Sequence, residues 1–182
     1  IRNGKSVDTS MGMTPLAGLP MGTRCGDIDP SIIAKLAEAT DLPLNKIMTL
    51  LSKESGLLGL SGISHDMREL VKAEAEGNQR ASLALAIFAY RIASTMASYM
   101  PALQSIDALV FTGGIGENNP WLRASVAEYL AFLGIQINAE ANQTPKEHNG
   151  LISDNSACKV FVIQTQEEQH IADITRQLIT EE

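Results

Sequence analysis

The sequence predicts an α/β fold, a sheet with helices packed against it, on three observations. In the second half of the chain, short β-branched and aromatic runs alternate with amphipathic helical stretches, the order expected of at least partly parallel strand pairing. The first half instead carries helix signals bounded by capping residues, glycines and prolines. With 182 residues, 45% of them apolar and 19% charged, the chain can bury a core without disulfide staples.

The elements follow in order. A short strand is expected near Lys5 to Asp8, then a long ordered loop, "SVDTSMGMTPLAGLPMGTRCGDIDP"; loops of this length in compact domains are often functional. Asp29 before Pro30 has the form of an N-cap with proline at the first helical position, opening a helix to about Thr40. A second helix is expected from Leu44 to Ser55, ended by Gly56, and "GLLGLSGIS" is expected as a buried loop. Ser64 is placed to cap a helix reaching Glu76, with Gly77 closing it. From Asn78 to about Met100, Leu85, Phe88, Ile92, Met96 and Tyr99 form one helical stripe, core rather than cofactor site, which Pro101 should stop. Then "IDALVFTGG" holds a strand, "PWLRASVAEYLAFLG" a helix ended by Gly134, "IQIN" a strand, "CKVFVIQT" a strand and "QEEQHIADITRQLIT" the last helix.

Fourteen Lys and Arg against 21 Asp and Glu leave a net charge of −7, so the surface as a whole repels nucleic acid and anionic lipid. No apolar run approaches the roughly 20 residues of a membrane span, and a membrane location is not expected. Cys25 and Cys158 stand far apart with no CxxC spacing, which suits small, partly buried thiols in a reducing cytoplasm. The first residue is Ile1 rather than Met, with no signal-peptide pattern after it, and a fragment is expected.

Four stretches could carry chemistry. "VFTGGIGENNPW" runs strand, glycine turn, helix: Gly113, Gly114 and Gly116 allow close backbone approach, and a helix starting near Asn119 and Pro120 offers unpaired N–H groups. The dinucleotide fingerprint fails at Asn119 and the P-loop lacks its Gly-Lys-Ser/Thr. Phosphate binding and a plain structural turn therefore stay equally open, and Glu117 has no evident duty. In "GTRCGD", Arg24 lies between Gly22 and Gly26 and suits a phosphoryl clamp, although a local salt bridge to Asp27 or Asp29 is the commoner use of such an arginine. In "SHDMRE", Ser64 and Asp66 suit capping and the helix dipole, Arg68 is less evidently structural, and His65 has no triad partners. In "IQTQEEQHIA", Thr165 and Glu168 match a capping box. Glu167 is then free, either to hold Mg²⁺ at the carboxyl end of a strand or simply to sit in the first turn of a helix.

Together "SVDTSMGMTPLAGLPMGTRCGDIDP", "FTGGIGEN" and "TQEEQHIA" closely resemble the second half of acetate kinases, in order and over essentially the whole chain. The resemblance implies a ribonuclease H-like lobe of the sugar kinase, Hsp70 and actin superfamily, with a mixed sheet flanked by helices. Residues 1–182 would form the carboxyl-terminal lobe of a two-lobed kinase, the final helix, about 169–182, packing on the first lobe. The resemblance also implies transfer of the ATP γ-phosphoryl group to acetate with Mg²⁺, in a homodimer. Arg24 would stabilise the phosphoryl group in transit. Asp66, Met67 and Arg68 would lie along the adenosine, and Gly114, Ile115, Gly116, Glu117 and Asn118 would line the nucleotide. Glu167 would serve the magnesium. The family's residues for the carboxylate substrate, its catalytic aspartate and its further phosphate-binding segments precede the position of Ile1, so the chain alone is expected to be inactive. Propionate and butyrate kinases, and a non-catalytic nucleotide-binding module, are the alternatives; a sensor has no need of Arg24 on the transferring group. An oxidoreductase based on "GGIG" fails on the missing third glycine.

Overall fold

Asp29 starts the first helix as its place before a proline suggests. Its carboxylate accepts the Ser31 N–H at 2.9 Å, Pro30 already has helical angles (φ −56°, ψ −27°), and α1 runs over Ser31–Thr40. The computed structural model describes residues 1–154 and 157–180. They fall into two units, Ile1–Ile106 with Ser125–Phe132, and Asp107–Ala124 with the residues from Leu133 on.

In the first unit, α2 (Leu44–Lys53), α3 (Gly56–Ser61), α4 (Met67–Ala75) and α5 (Gln79–Ser98) follow α1. The Asn78 side chain caps α5 by accepting the N–H groups of Arg80 and Ala81. Both α3 and α4 pack on α5, whose inner face buries Ala81, Ala84, Leu85, Phe88, Ala89, Ile92 and Ala93. Small residues between large ones let its neighbours approach closely. Met96 and Tyr99, lower on the expected stripe, are only half-buried.

Several expectations for this unit are corrected. Lys5 to Asp8 form no strand. Only Arg2 and Lys5 pair, across a tight turn with Asn3 and Gly4 at φ 51° and 73°, because a lone extended segment needs a partner edge to persist. "GLLGLSGIS" is not a loop; its first six residues are α3. Gly56 therefore opens that helix rather than ending α2. Asp66, not Ser64, caps α4 by accepting the Arg68 N–H at 2.8 Å, while Ser64 Oγ accepts the Asp66 N–H at 3.0 Å. Pro101 does not stop the chain's helical course, since it sits in the first turn of α6 (Met100–Leu103), where its missing N–H has no partner to lose. Taken together, Gln79–Leu103 is long and apolar enough to cross a membrane by length and composition, contrary to the sequence expectation, but the buried face just described is that of a core helix.

In the second unit, β1 (Ala108–Phe111) pairs in parallel with β2 (Lys159–Val162), Ala108 opposite Lys159 and Phe111 opposite Val162. An antiparallel bridge, Leu151 to Phe161, extends the pairing on the other side of β2 and makes it mixed. After β1 come α7 (Gly113–Asn118), α8 (Pro120–Tyr129), of which only the residues to Ala124 belong to this unit, and α9 (Ala139–Gln143); after β2 comes α10 (Glu167–Thr180). Phe111, Leu122, Ile135, Ile152, Cys158 and Val160 are buried. "IQIN" forms no strand: Ile135 is buried, but Asn138 turns to cap α9 through its side chain. α10 buries no residue, and Ile171, Ile174, Leu178 and Ile179 stand exposed along it. The last two residues of the expected 169–182 segment lie outside the described residues. Both thiols are free, and burial pushes each pKa up, as inert packing cysteines require.

Candidate active-site segments

Because β1 and β2 are parallel neighbours, the two strand-to-helix motifs leave the sheet at the same end. The Ile163 N–H continues the ladder onto the Phe111 carbonyl at 2.9 Å, after which one strand enters the glycine segment and the other the run to Glu167. The carboxyl ends of adjacent parallel strands are where α/β sheets hold their ligands.

The glycine segment is not an open turn; it forms the six-residue helix α7. Gly113 has φ 71°, and no atom of the described residues stands within 4 Å of where a Cβ would lie on Gly113 or Gly114. Among the described residues nothing therefore demands a missing side chain at Gly114, and its backbone is open to an incoming ligand. Gly114, Ile115 and Asn118 are at least partly exposed, and Asn118 Nδ2 donates to the Gly114 carbonyl at 2.9 Å. The start of α8 is less available than the sequence suggests, because the Asn119 side chain already accepts the Leu122 N–H at 2.9 Å.

Glu117, without a role at the level of sequence, has three partners. Its Oε1 accepts the Gly113 N–H at 2.9 Å, the Thr165 N–H at 2.9 Å and the Thr165 hydroxyl at 3.1 Å. The Thr165 N–H, above all, holds the Glu117 carboxyl below the usual carboxylate range. This displaces the expected capping box: Thr165 spends its hydroxyl proton on Glu117, and α10 begins only at Glu167, so Thr165 lies too early to cap it and Glu168 is not committed to the backbone. Glu167 still makes no side-chain hydrogen bond or ion pair among the described residues. One free carboxylate fits Mg²⁺, which commonly binds through one or two carboxylates plus substrate phosphates. Among the described residues no cluster of three or more His, Cys, Asp or Glu forms a protein-only cage.

Arg123 is the functional-segment residue that sequence reasoning missed. It is 1% exposed. Its Nη1 donates to the carbonyls of Gly116 (2.8 Å) and Glu117 (2.9 Å), its Nε to Asn142 Oδ1 (2.7 Å) and its Nη2 to the Asn142 carbonyl (2.6 Å). A buried cation without a carboxylate is tolerable only when its donors are satisfied in this way, and here two of the four bonds fix the end of the glycine helix. The signal was present in "PWLRASVAEYL": Arg123 falls three and seven places before Val126 and Leu130, on the stripe that is buried.

In the first unit, the Arg24 loop is laced to the junction of α2 and α3. The Met21 N–H donates to the Arg24 carbonyl (3.0 Å), Cys25 N–H to Leu51 (2.9 Å), Ser55 N–H to Thr23 (2.9 Å) and Leu57 N–H to Met21 (2.9 Å). Asp27 closes the loop, its Oδ1 accepting the Gly18 N–H at 2.7 Å, and its other oxygen lies 3.8 Å from Arg91. The local salt bridge considered for Arg24 is therefore not formed. Arg24 is exposed, with Met21 Sδ at 3.5 Å as its one side-chain partner among the described residues.

The turn at 64–68 is a direct neighbour of this loop: a Cβ on Gly22 would meet the His65 carbonyl oxygen at 3.1 Å. His65 itself is exposed. Arg68 grips Asp66 with Nε at 3.1 and 3.2 Å from the two oxygens and Nη2 at 2.6 Å. Met67 points into the core, 5% exposed, so only its backbone is available to a ligand. The Arg68 side chain, followed by its N–H, lowers the Asp66 pKa to about 2. A carboxyl depressed when folded adds stability above its unfolded pKa and loses it as pH falls through the folded value. Asp66→Asn should therefore flatten the acid limb of the melting-temperature profile between about pH 4 and pH 2, a small effect because Arg68 is exposed; an unchanged limb would show that the pair adds nothing to folding.

The architecture is that of a lobe of the sugar kinase, Hsp70 and actin superfamily: it superposes on the crystal structure of acetate kinase from Porphyromonas gingivalis with a TM-score of 0.89 at 41% identity, covering 98% of this chain and 45% of that one. A propionate kinase from Francisella tularensis matches with a TM-score of 0.87 at 45% identity, covering 92% and 43%. The sequence model of the acetokinase family matches residues 1–173, and the chain belongs to that family. Among curated relatives it is 51% identical to acetate kinase of Dichelobacter nodosus, over 98% of this chain and 45% of the relative, and 48% identical to that of Lachnoclostridium phytofermentans, over 92% and 42%. The chain spans less than half the length of these relatives.

Proposed function

We propose that the chain is the carboxyl-terminal, nucleotide-binding half of a kinase that transfers the ATP γ-phosphoryl group reversibly to acetate. An acetate oxygen attacks the γ-phosphorus as the bond to the β,γ-bridging oxygen breaks, and ADP leaves with that electron pair. Positioning and charge stabilisation supply most of the rate in such transfers. What carries the proposal is Arg24: a guanidinium on a loop fixed by backbone hydrogen bonds, exposed and without an acidic partner among the described residues, as a group reserved for the moving phosphoryl oxygens would be. Asp66 and Arg68, with the Met67 backbone, serve the adenosine; Gly114 to Asn118 face the nucleotide; Glu167 would hold Mg²⁺, whose charge would offset that of the phosphates. The exposed apolar side of α10 suits packing on the first lobe. The whole enzyme is proposed as a cytoplasmic homodimer.

The test is acetyl phosphate formation from ATP and acetate by the chain joined to its upstream half and by the chain alone. The joined protein should turn over and the isolated chain should not. Activity of the isolated chain would show that the missing half is dispensable. The likeness to propionate kinase makes propionate the second acceptor to assay, and a lower KM for it would reassign the substrate.

A further inference from the structure

We propose that Glu117 is a positioning residue, a strut that fixes the segment leading to Glu167 against the glycine helix; this rests on the roles given above to α7 and Glu167. Among the described residues, neither segment is held to the other by ladder bonds beyond the Ile163 N–H to Phe111 contact at 2.9 Å. Past that point the chain after β2 would be free to swing. A single oxygen, Glu117 Oε1, gathers the first N–H of the glycine helix, at Gly113, and both donors of Thr165, two residues before Glu167. Glu117 is itself held from behind, its carbonyl accepting Arg123 Nη1 at 2.9 Å. Glu117 and Gln166 line the same groove, with Asn118 and Lys146, so the strut spans the wall of a concavity rather than the core. With three donors of its own chain gathered on Oε1, this carboxylate is well placed to set where Glu167 stands.

The experiment uses the complete enzyme and compares Glu117→Ala, Glu117→Gln, Thr165→Val, the Glu117→Ala/Thr165→Val double variant and Glu167→Gln. The half-saturating Mg²⁺ concentration is measured in acetyl phosphate formation, and hydrogen exchange is followed in peptides covering Gly113 and Thr165. Glu117→Ala should raise the Mg²⁺ requirement about tenfold and speed exchange in both peptides. Glu117→Gln keeps a carbonyl oxygen where Oε1 stands and should shift the requirement by less than about threefold. The double variant should be no worse than Glu117→Ala alone, because the two changes cut one connection. A folded Glu117→Ala with ordinary Mg²⁺ dependence, a Glu117→Gln as damaged as Glu117→Ala, additive single effects or unchanged exchange would each overturn the strut. A Glu167→Gln with wild-type Mg²⁺ dependence would instead overturn the assignment of Glu167 to the metal, and with it the strut's bearing on metal binding, even where exchange shows the connection itself.

Discussion

In the complete enzyme, Arg24→Ala is expected to lower kcat by about a thousandfold, the scale of losing an arginine that acts on a transferring phosphoryl group, while the KM for ATP changes only a few-fold. The split follows from where the residue stands. Its carbonyl accepts the Met21 N–H and its neighbours bond to Leu51, Ser52 and Ser55, so alanine keeps every backbone contact of the loop. The side chain is exposed and, among the described residues, bonds only to Met21 Sδ, so thermal stability should stay within about 0.5 kcal/mol. A rate loss then cannot be charged to unfolding. Arg24→Lys restores the charge but not the planar fork and should recover only part of kcat. Steady-state kinetics beside a melting curve make the test: a change confined to the ATP KM would mean that Arg24 holds the ground state rather than the moving group.

What could be read from the sequence was local. β1 and β2 are short apolar runs ending in turn residues, and α5 repeats its stripe along most of its length, so neighbouring residues suffice to define them. The strand near Lys5 and the strand at "IQIN" looked the same by composition, but strand formation depends on a partner edge that no local pattern reports. The site was legible as separate motifs and illegible as an arrangement. That the glycine segment and the approach to Glu167 leave the sheet side by side depends on parallel pairing of β1 with β2. Glu117 meets Thr165 across 48 positions, so a glutamate with no evident duty in the sequence proves to have one within the chain. The capping box failed for the same reason: Thr165 fits the pattern, and a distant carboxylate takes its hydroxyl first.

Gly56 shows how one local signal can support two structures, and it yields the second large effect. A glycine at the end of a helical run is the usual left-handed C-terminal residue, and Gly56 is indeed left-handed, φ 59°, but as the entry to α3. A Cβ there would overlap the Met21 carbonyl oxygen and lie 2.6 Å from that of Arg24, the two groups that shape the Arg24 loop. Gly56→Ala should therefore cost about 3 kcal/mol or more, the sum of a left-handed alanine and a backbone clash in a buried place. Gly77→Ala is the control: Gly77 has φ 87°, and no atom of the described residues stands within 4 Å of where its Cβ would lie, so it should lose only the conformational part, about 1 kcal/mol. The two variants should also part in activity. Gly77→Ala, at a residue with no proposed role, should keep its kcat at temperatures where it is folded, whereas Gly56→Ala must push back the carbonyls of Met21 and Arg24 and so carry the guanidinium off its line, losing rate beyond the fraction unfolded. Denaturant midpoints and kcat measured on the same samples decide it: equal destabilisation in the two variants would mean that the loop does not approach Gly56 so closely, and a Gly56→Ala enzyme with normal kcat when folded would mean that the position of Arg24 does not depend on it.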